Sequence, residues 1–383
     1  MISIVSRVAL AAAFSTVSAT LVTAQDIKLA LRPGPTQVRV SRGIEYGRAD
    51  TVRLHMDVYR PADAGARRLP TLVFFNRGFG AGRNQPFYVA WARAAASRGI
   101  VAILPDLRGG SEPADFQLLA THLAARGAEV GVDKDAIVVF SGSGNVNSAF
   151  PVVEDPKMTS IGGAVMYYGT GPVTEFRLDL PVLYVRAGLD RPEVNKEIMA
   201  LAALAASQNA PVTLLNHSTG YHAFEMFNDD DATRDVMEQT LSFVRRVTSP
   251  GYQASLREGI PEARAAGYVQ LQAYAKAAPI YAGLVAKRPD DARLRLSYGE
   301  ALLGAERYGE ACAEMEKLKG KPLGPRDLGL PAARACMLKG DADAAIAWLK
   351  TIPTRFLPPQ IATEPAFAPI KDRADFKALF PAR

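Results

Sequence analysis

The chain has 383 residues, 48% of them apolar and 22% charged. That composition excludes an intrinsically disordered protein and suits two domains, each long enough to bury a core. The formal charge is +6, from 45 basic and 39 acidic side chains. The excess lies from Gly251 onward, where 20 Lys and Arg face 15 Asp and Glu. No basic cluster is interleaved with aromatics, so no nucleic-acid partner is expected. Two cysteines and four histidines are too few for a disulfide scaffold, a four-thiolate zinc site or a His-rich metal centre.

Residues 1–7 carry one positive charge, residues 8–14 are apolar and Ala-rich, and Val22-Thr23-Ala24 places small residues just before Gln25. This reads as a secretory signal peptide over residues 1–24, cut after Ala24. The alternative is an uncleaved anchor, which Ser15, Thr16, Ser18 and Thr20 make a poor membrane span. No later stretch approaches about 18 uninterrupted apolar residues. An exported protein is expected, periplasmic or secreted and without stable membrane insertion, its thiols meeting an oxidising compartment.

Residues 52–59 (VRLHMDVY) half-alternate and predict a strand that Arg60-Pro61 stops. After a polar turn over 62–69, the apolar run 70–75 (PTLVFF) predicts a buried strand, followed by a Gly-rich loop over 76–82. An Ala-rich helix over 87–97 ends near Gly99, a C-cap residue. Further strands are expected at 100–104, 136–140, 163–167, 182–186 and 211–215, with helices at 117–126 and 232–246. Apolar runs without alternation, spaced by helical segments, are how parallel strands covered on both faces look. The first domain is therefore drawn over residues 25–248.

Ser249-Pro250-Gly251 marks a boundary, with a linker expected over 249–257. Beyond it strand-like runs vanish, and a 34-residue spacing relates Ala265, Gly299 and Ala333, then Ala277, Ala311 and Ala345. Tyr281, Met315 and Leu349 follow at the same spacing, as do Leu284, Leu318 and Ile352. Small residues let two helices approach closely while bulky ones fill the gap beside them. This resembles tetratricopeptide repeats, three helical pairs over 258–353 followed by a tail over 354–383, although Arg295 stands where a Trp is usual. An irregular helical domain is the alternative. Cys312 and Cys336 fall on neighbouring helices, as a disulfide or as two core thiols. The repeats suit docking of a protein partner or self-association.

Chemistry concentrates in three turns that each follow a predicted strand. Serine is a poor nucleophile unless it is sharply presented beside a base. Ser143 sits between Gly142 and Gly144, with the small residues Ser141 and Asn145 outside them, as a strand-to-helix elbow requires. Asp190 leaves the strand at 182–186. His222 follows the strand at 211–215; His217 is a competing base closer to that strand's end.

The first domain resembles an α/β-hydrolase of the dienelactone-hydrolase and acyl-esterase/peptidase kind. The stretches that carry the resemblance are DVYRP (57–61), PTLVFFNRGFG (70–80), RGIVAILPDLRG (98–109), FSGSGN (140–145), MYYG (166–169), VRAGLD (185–190) and GYHAF (220–224). It implies an α/β-hydrolase fold, a mostly parallel sheet with helices on both faces, ahead of the all-α repeats. It also implies Ser143 as nucleophile, Asp190 as acid and His222 as base. Asn76-Arg77 replaces the usual His-Gly of the oxyanion loop, and Asn145 replaces a Gly. The oxyanion donors would be the amide of Gly144 and one from 76–79, with Arg77 or Gly78 preferred. Phe79, Tyr167, Tyr168, Phe224 and Met226 are candidate pocket residues. Arg77 and Arg108 are candidates to hold an acidic substrate group, or else to make structural ion pairs. The connection over 169–180 is too short for a large helical lid, which suits small or accessible esters, among them polysaccharide-linked acyl groups. This chemistry needs no cofactor or metal. The same site suits a peptidase or amidase, and a non-catalytic binding protein with a degenerate hydrolase domain is the alternative of a different class.

Overall fold

A computed structural model of the protein describes residues 29–77 and 82–380. The expected signal peptide therefore lies outside the described residues. Eight strands form one sheet in the order β1-β2-β4-β3-β5-β6-β7-β8. At one edge β1 (Val38–Ala49) and β2 (Val52–Pro61) make an antiparallel hairpin, and β2 runs antiparallel to β4 (Val101–Pro105). From β4 onward, through β3 (Leu69–Phe74), β5 (Val132–Gly142), β6 (Ile161–Tyr167), β7 (Val182–Ala187) and β8 (Val212–His217), every pairing is parallel.

Successive side chains of a strand point to opposite faces, so each apolar run feeds two cores. Leu72, Phe74, Val138 and Phe140 meet α1 (Pro86–Ala96) and α6 (Asp231–Val247) on one face. Val73, Val139, Ala164 and Met166 meet α2 (Glu112–Arg126), α3 (Asn145–Val153) and α4 (Pro192–Ser207) on the other. This is an α/β-hydrolase fold. Strand β1 and helix α4 go beyond the expected elements, and α2 starts five residues before the predicted helix because Pro113 is tolerated in a first turn.

The expected linker over 249–257 is helix instead. Ser249 is the N-cap of α7 (Pro250–Gln270), its hydroxyl oxygen accepting the Tyr252 amide at 3.4 Å. Ser-Pro at a boundary is a helix start as readily as a break, because Pro at the first helical position lacks only an N–H that would go unpaired. The pair α7 and α8 (Tyr274–Lys287) is followed by α9 (Ala292–Gly304) with α10 (Tyr308–Glu316), and by α11 (Pro325–Leu338) with α12 (Ala342–Lys350). Ala265, Ala277, Ala311, Ala333 and Ala345 are all buried there, as are Tyr281, Met315 and Leu349. Arg295 pairs with Glu314 at 2.5 Å. A disulfide between Cys312 and Cys336 ties α10 to α11. The expected tail is part of this core: Ile361, Phe367, Ile370 and Phe376 are buried in it. No helix among the described residues is long and apolar enough to cross a membrane.

Candidate active site

Three strand ends converge on Ser143. It follows β5 directly and has φ +56°, a left-handed backbone that turns the chain sharply into α3. Its amide donates to the Tyr167 carbonyl at 2.9 Å, so the elbow hangs on the end of β6. Residue 169 must be glycine for this, since a Cβ there would lie 2.2 Å from the Ser143 carbonyl oxygen and 2.6 Å from Val146. The left-handed residue is Ser143 itself, and Asn145 is the first residue of α3, its side-chain Nδ2 donating to the Tyr88 hydroxyl at 3.2 Å.

The acid and base turns are stitched together. The Gly188 amide donates to the His217 carbonyl at 2.8 Å and the Leu189 amide to the Gly220 carbonyl at 2.9 Å. A side chain at Gly188 would strike the Ser218 carbonyl at 2.2 Å, so this approach requires glycine. Asp190 and His222, far apart in sequence, are thereby set side by side. The Ser143 hydroxyl donates to His222 Nε2 at 2.8 Å, and His222 Nδ1 donates to Asp190 Oδ2 at 2.6 Å. The carboxyl of Asp190 is 2% exposed and also accepts the Arg191 amide at 2.7 Å, while the His222 side chain is 35% exposed. A buried acceptor on Nδ1 holds the proton there and leaves Nε2 free to take one.

The other expected residues divide. Gly144 is the N-cap of α3, so its amide is among the unpaired donors of a helix start. The Arg77 guanidinium lies over it, 3.3 Å from where a Gly144 Cβ would stand. Gly78 and Phe79 lie outside the described residues. Tyr167 and Phe224 are not pocket residues but core: both are fully buried, and the Tyr167 hydroxyl is hydrogen-bonded to Thr240 at 2.6 Å. The last in-sheet position of β6 directs its side chain to the α1 and α6 face, away from the site. Tyr168 is buried under the base, its ring centroid 4.7 Å from that of His222. Met226 alone of the described candidates is half-buried. Arg108 is clamped by Asp115, with contacts from 2.6 to 3.1 Å. His217 is buried against Phe224 and paired with Thr233 at 2.8 Å, and burial holds its pKa below the usual value. Its place is structural.

Glu225 escaped the sequence reading. It is 0% exposed, in the short helix α5 (Phe224–Phe227) that follows His222, and accepts the Tyr168 hydroxyl at 2.9 Å. The signal was present: an acidic residue between Phe224 and Met226 has no solvent-facing helical stripe to occupy.

No protein-family model and no curated protein matches the sequence. Among solved structures the chain is similar to an esterase from the fungus Rhizomucor miehei, at 14% identity over 58% of this chain and 86% of that one, TM-score 0.47. It is also similar to brefeldin A esterase, a bacterial homologue of human hormone sensitive lipase, at 15% identity over 58% and 80%, TM-score 0.48. A third is esterase B of Lactobacillus rhamnosis, at 15% identity over 58% and 90%, TM-score 0.47. None of these likenesses bears on what this chain acts on.

Proposed function

We propose that the protein is an exported serine hydrolase that cleaves carboxylic esters through an acyl-enzyme intermediate. The observation that carries this is the hydrogen-bonded line from Ser143 through His222 to Asp190, with the serine on a left-handed turn at the end of a central strand. His222 Nε2 takes the hydroxyl proton as Ser143 Oγ bonds to the carbonyl carbon, and the carbonyl electron pair moves onto oxygen. The Gly144 amide meets that oxyanion, with a second donor expected from residues 76–79; such a donor is typically worth about 10²–10³ in rate. Collapse breaks the ester C–O bond, and the alcohol leaves with the proton held on His222. Water, activated by the same imidazole, then hydrolyses the acyl-serine and frees the enzyme.

Small or accessible esters suit the site best, because no helix intervenes between β6 and β7 among the described residues. A polysaccharide-linked acyl group or a small lactone fits that description. The Arg77 guanidinium beside Gly144 favours an ester that carries an acidic group. The dienelactone-hydrolase-like subtype is supported by the seven sequence stretches that carry the resemblance. The tetratricopeptide-like reading is supported by the 34-residue register of buried small residues, and assigns the helical pairs to partner docking or self-association. Export is supported by the leader-like first 24 residues and by the disulfide, a bond that oxidising compartments favour.

The test is turnover of short p-nitrophenyl esters by residues 25–383, with Ser143→Ala beside it and circular dichroism confirming that both are folded. Wild-type turnover falling by about 10³ or more in the variant is expected. A folded wild type that neither turns over esters nor reacts with a fluorophosphonate would favour the non-catalytic binding protein.

A further inference from the structure

We infer that Glu225 and Tyr168 are positioning residues for the base: the Glu225 carboxyl anchors the Tyr168 hydroxyl and so fixes the ring on which the His222 imidazole rests. The inference rests on the serine-hydrolase reading of the site. Three observations carry it. The first is geometric. One Glu225 oxygen accepts the Tyr168 hydroxyl at 2.9 Å, and the Tyr168 ring lies against His222 at 4.7 Å between centroids with the two planes tilted by 55°, so carboxyl, phenol and imidazole form one chain of contacts.

The second is conformational. Seven non-glycine residues among those described have left-handed backbones, and three of them are Ser143, Tyr168 and Ala223. They are the nucleophile, the residue beneath the base, and the residue that follows the base toward Glu225. Such backbones are costly and persist where the surroundings over-determine them, which clusters them at functional sites. Tyr168 is held in place by its amide, which donates to the Val185 carbonyl at 2.8 Å.

The third is electrostatic. Glu225 is fully buried, its second oxygen meets the Trp91 indole N–H only outside good hydrogen-bonding geometry, and no ion pair reaches it among the described residues. The groups that face it are Tyr88 and Trp91 from α1, the latter's indole N–H outside hydrogen-bonding geometry, and Tyr167 and Tyr168 from the end of β6, with His222 beyond Tyr168. An apolar side chain would fill this space without the penalty of burying a carboxyl, so stability alone does not account for an acid here. Burial pushes its pKa up to about 7, and ionisation therefore falls within the working range of an imidazole base. The carboxylate, once formed one ring beyond His222, favours the imidazolium that the reaction creates.

The test is the rate of fluorophosphonate labelling of Ser143 against pH, together with kcat and KM on a p-nitrophenyl ester, in wild type, Tyr168→Phe and Glu225→Gln. Tyr168→Phe keeps the ring and drops the anchor; kcat and the labelling rate are expected to fall about three- to thirty-fold with KM held within about two-fold. Glu225→Gln removes the ionisation, and the acid limb of the labelling profile is expected to move down by a few tenths of a pH unit to about one. Variants that lose thermal stability yet label at the wild-type rate, with the wild-type profile, would reduce the pair to a structural role and overturn the inference. Should Glu225→Gln fail to fold, Tyr168→Phe decides alone. A folded wild type that does not label at all overturns the hydrolase reading first, a result distinct from labelled but unaltered variants.

Discussion

Replacing Glu225 by glutamine changes how the stability of the hydrolase region depends on pH. Burial raises this carboxyl from the ordinary 4.5 to about 7. Between those values the folded protein holds a proton that the unfolded chain gives up. The contribution is therefore complete below pH 4.5, declines as pH rises, and is fully lost above about pH 7. At about 1.4 kcal/mol per pH unit, that gap amounts to about 3 kcal/mol. Glutamine keeps the shape and an acceptor for the Tyr168 hydroxyl but cannot ionise. Any cost of its unpaired amide is the same at every pH, so only the pH dependence of the difference reports the carboxyl. Urea unfolding at pH 4.5, 6 and 8 is the assay. Trp91 reports the hydrolase region and Trp348 the helical one. The variant is expected to gain on wild type by about 2–3 kcal/mol between pH 4.5 and pH 8 in the Trp91-linked transition. Glu154, raised to about 7 by burial in the same way, stays in both proteins and cancels in the comparison. A difference that is flat across the three pH values would refute a buried carboxyl with a raised pKa.

Two further perturbations follow from single contacts. Arg83, 18% exposed, donates to Asp57 and Asp106 at 2.8 Å each, and both carboxyls are buried; Arg83→Met is expected to cost about 3–5 kcal/mol in urea unfolding, because it strands two buried charges. Arg83→Lys should recover less than half of that, since a point charge cannot fork to two carboxylates. Gly169→Ala drives a methyl into the Ser143 carbonyl, and a fall in kcat of about 10² or more is expected in a protein whose circular dichroism is unchanged.

Much of the hydrolase region was legible because parallel strands buried on both faces cannot hide their apolar runs. The elbow was legible for a related reason: a left-handed serine against a neighbouring strand tolerates only small flanking residues, and these stand in sequence around Ser143. What escaped was direction. Tyr167 and Phe224 adjoin the site in sequence, yet strand pleat and helix entry turn them into the core, and spacing along a chain does not reveal that. Tyr168 is buried in the same core, and its left-handed backbone accompanies a ring set against His222. The edge strand β1 was obscured by its composition, since Arg42 and Arg48 fall in the phase that Val38, Val40, Ile44 and Tyr46 set and so interrupt the alternation. Ser249-Pro250 read as a break because the same two residues serve equally as a helix cap and first turn.

The helical region joins the sheet at the end opposite the site. The buried Gln253 on α7 donates to the carbonyl of Gly162, at the start of β6, at 2.9 Å. Asn209, just ahead of β8, donates to the Ala263 carbonyl at 3.2 Å, and Gly267 lets α7 close on the Gln208 carbonyl, where a Cβ would stand 2.6 Å away. The cleft between the two regions, about 810 Å³, is lined by Glu154, Arg177, Gln208, Arg264, Tyr268 and Lys276, and no triad residue lines it. Ser143, Asp190 and His222 all follow strand C-termini, so the helices are attached where the strands begin and the candidate site sits where they end. A lid or substrate gate would have to reach the site from the far side of the sheet. The proposed docking of a partner would leave the site open with this attachment. A chain ending at Thr248 loses the Gln253 bonds and bares the α7 face of the sheet. It is expected to unfold at lower urea while its kcat per folded molecule on a small ester stays within about two-fold of the full chain, since no group of the triad is touched. A truncated chain that folds but loses turnover would instead place the helical pairs in the catalytic apparatus.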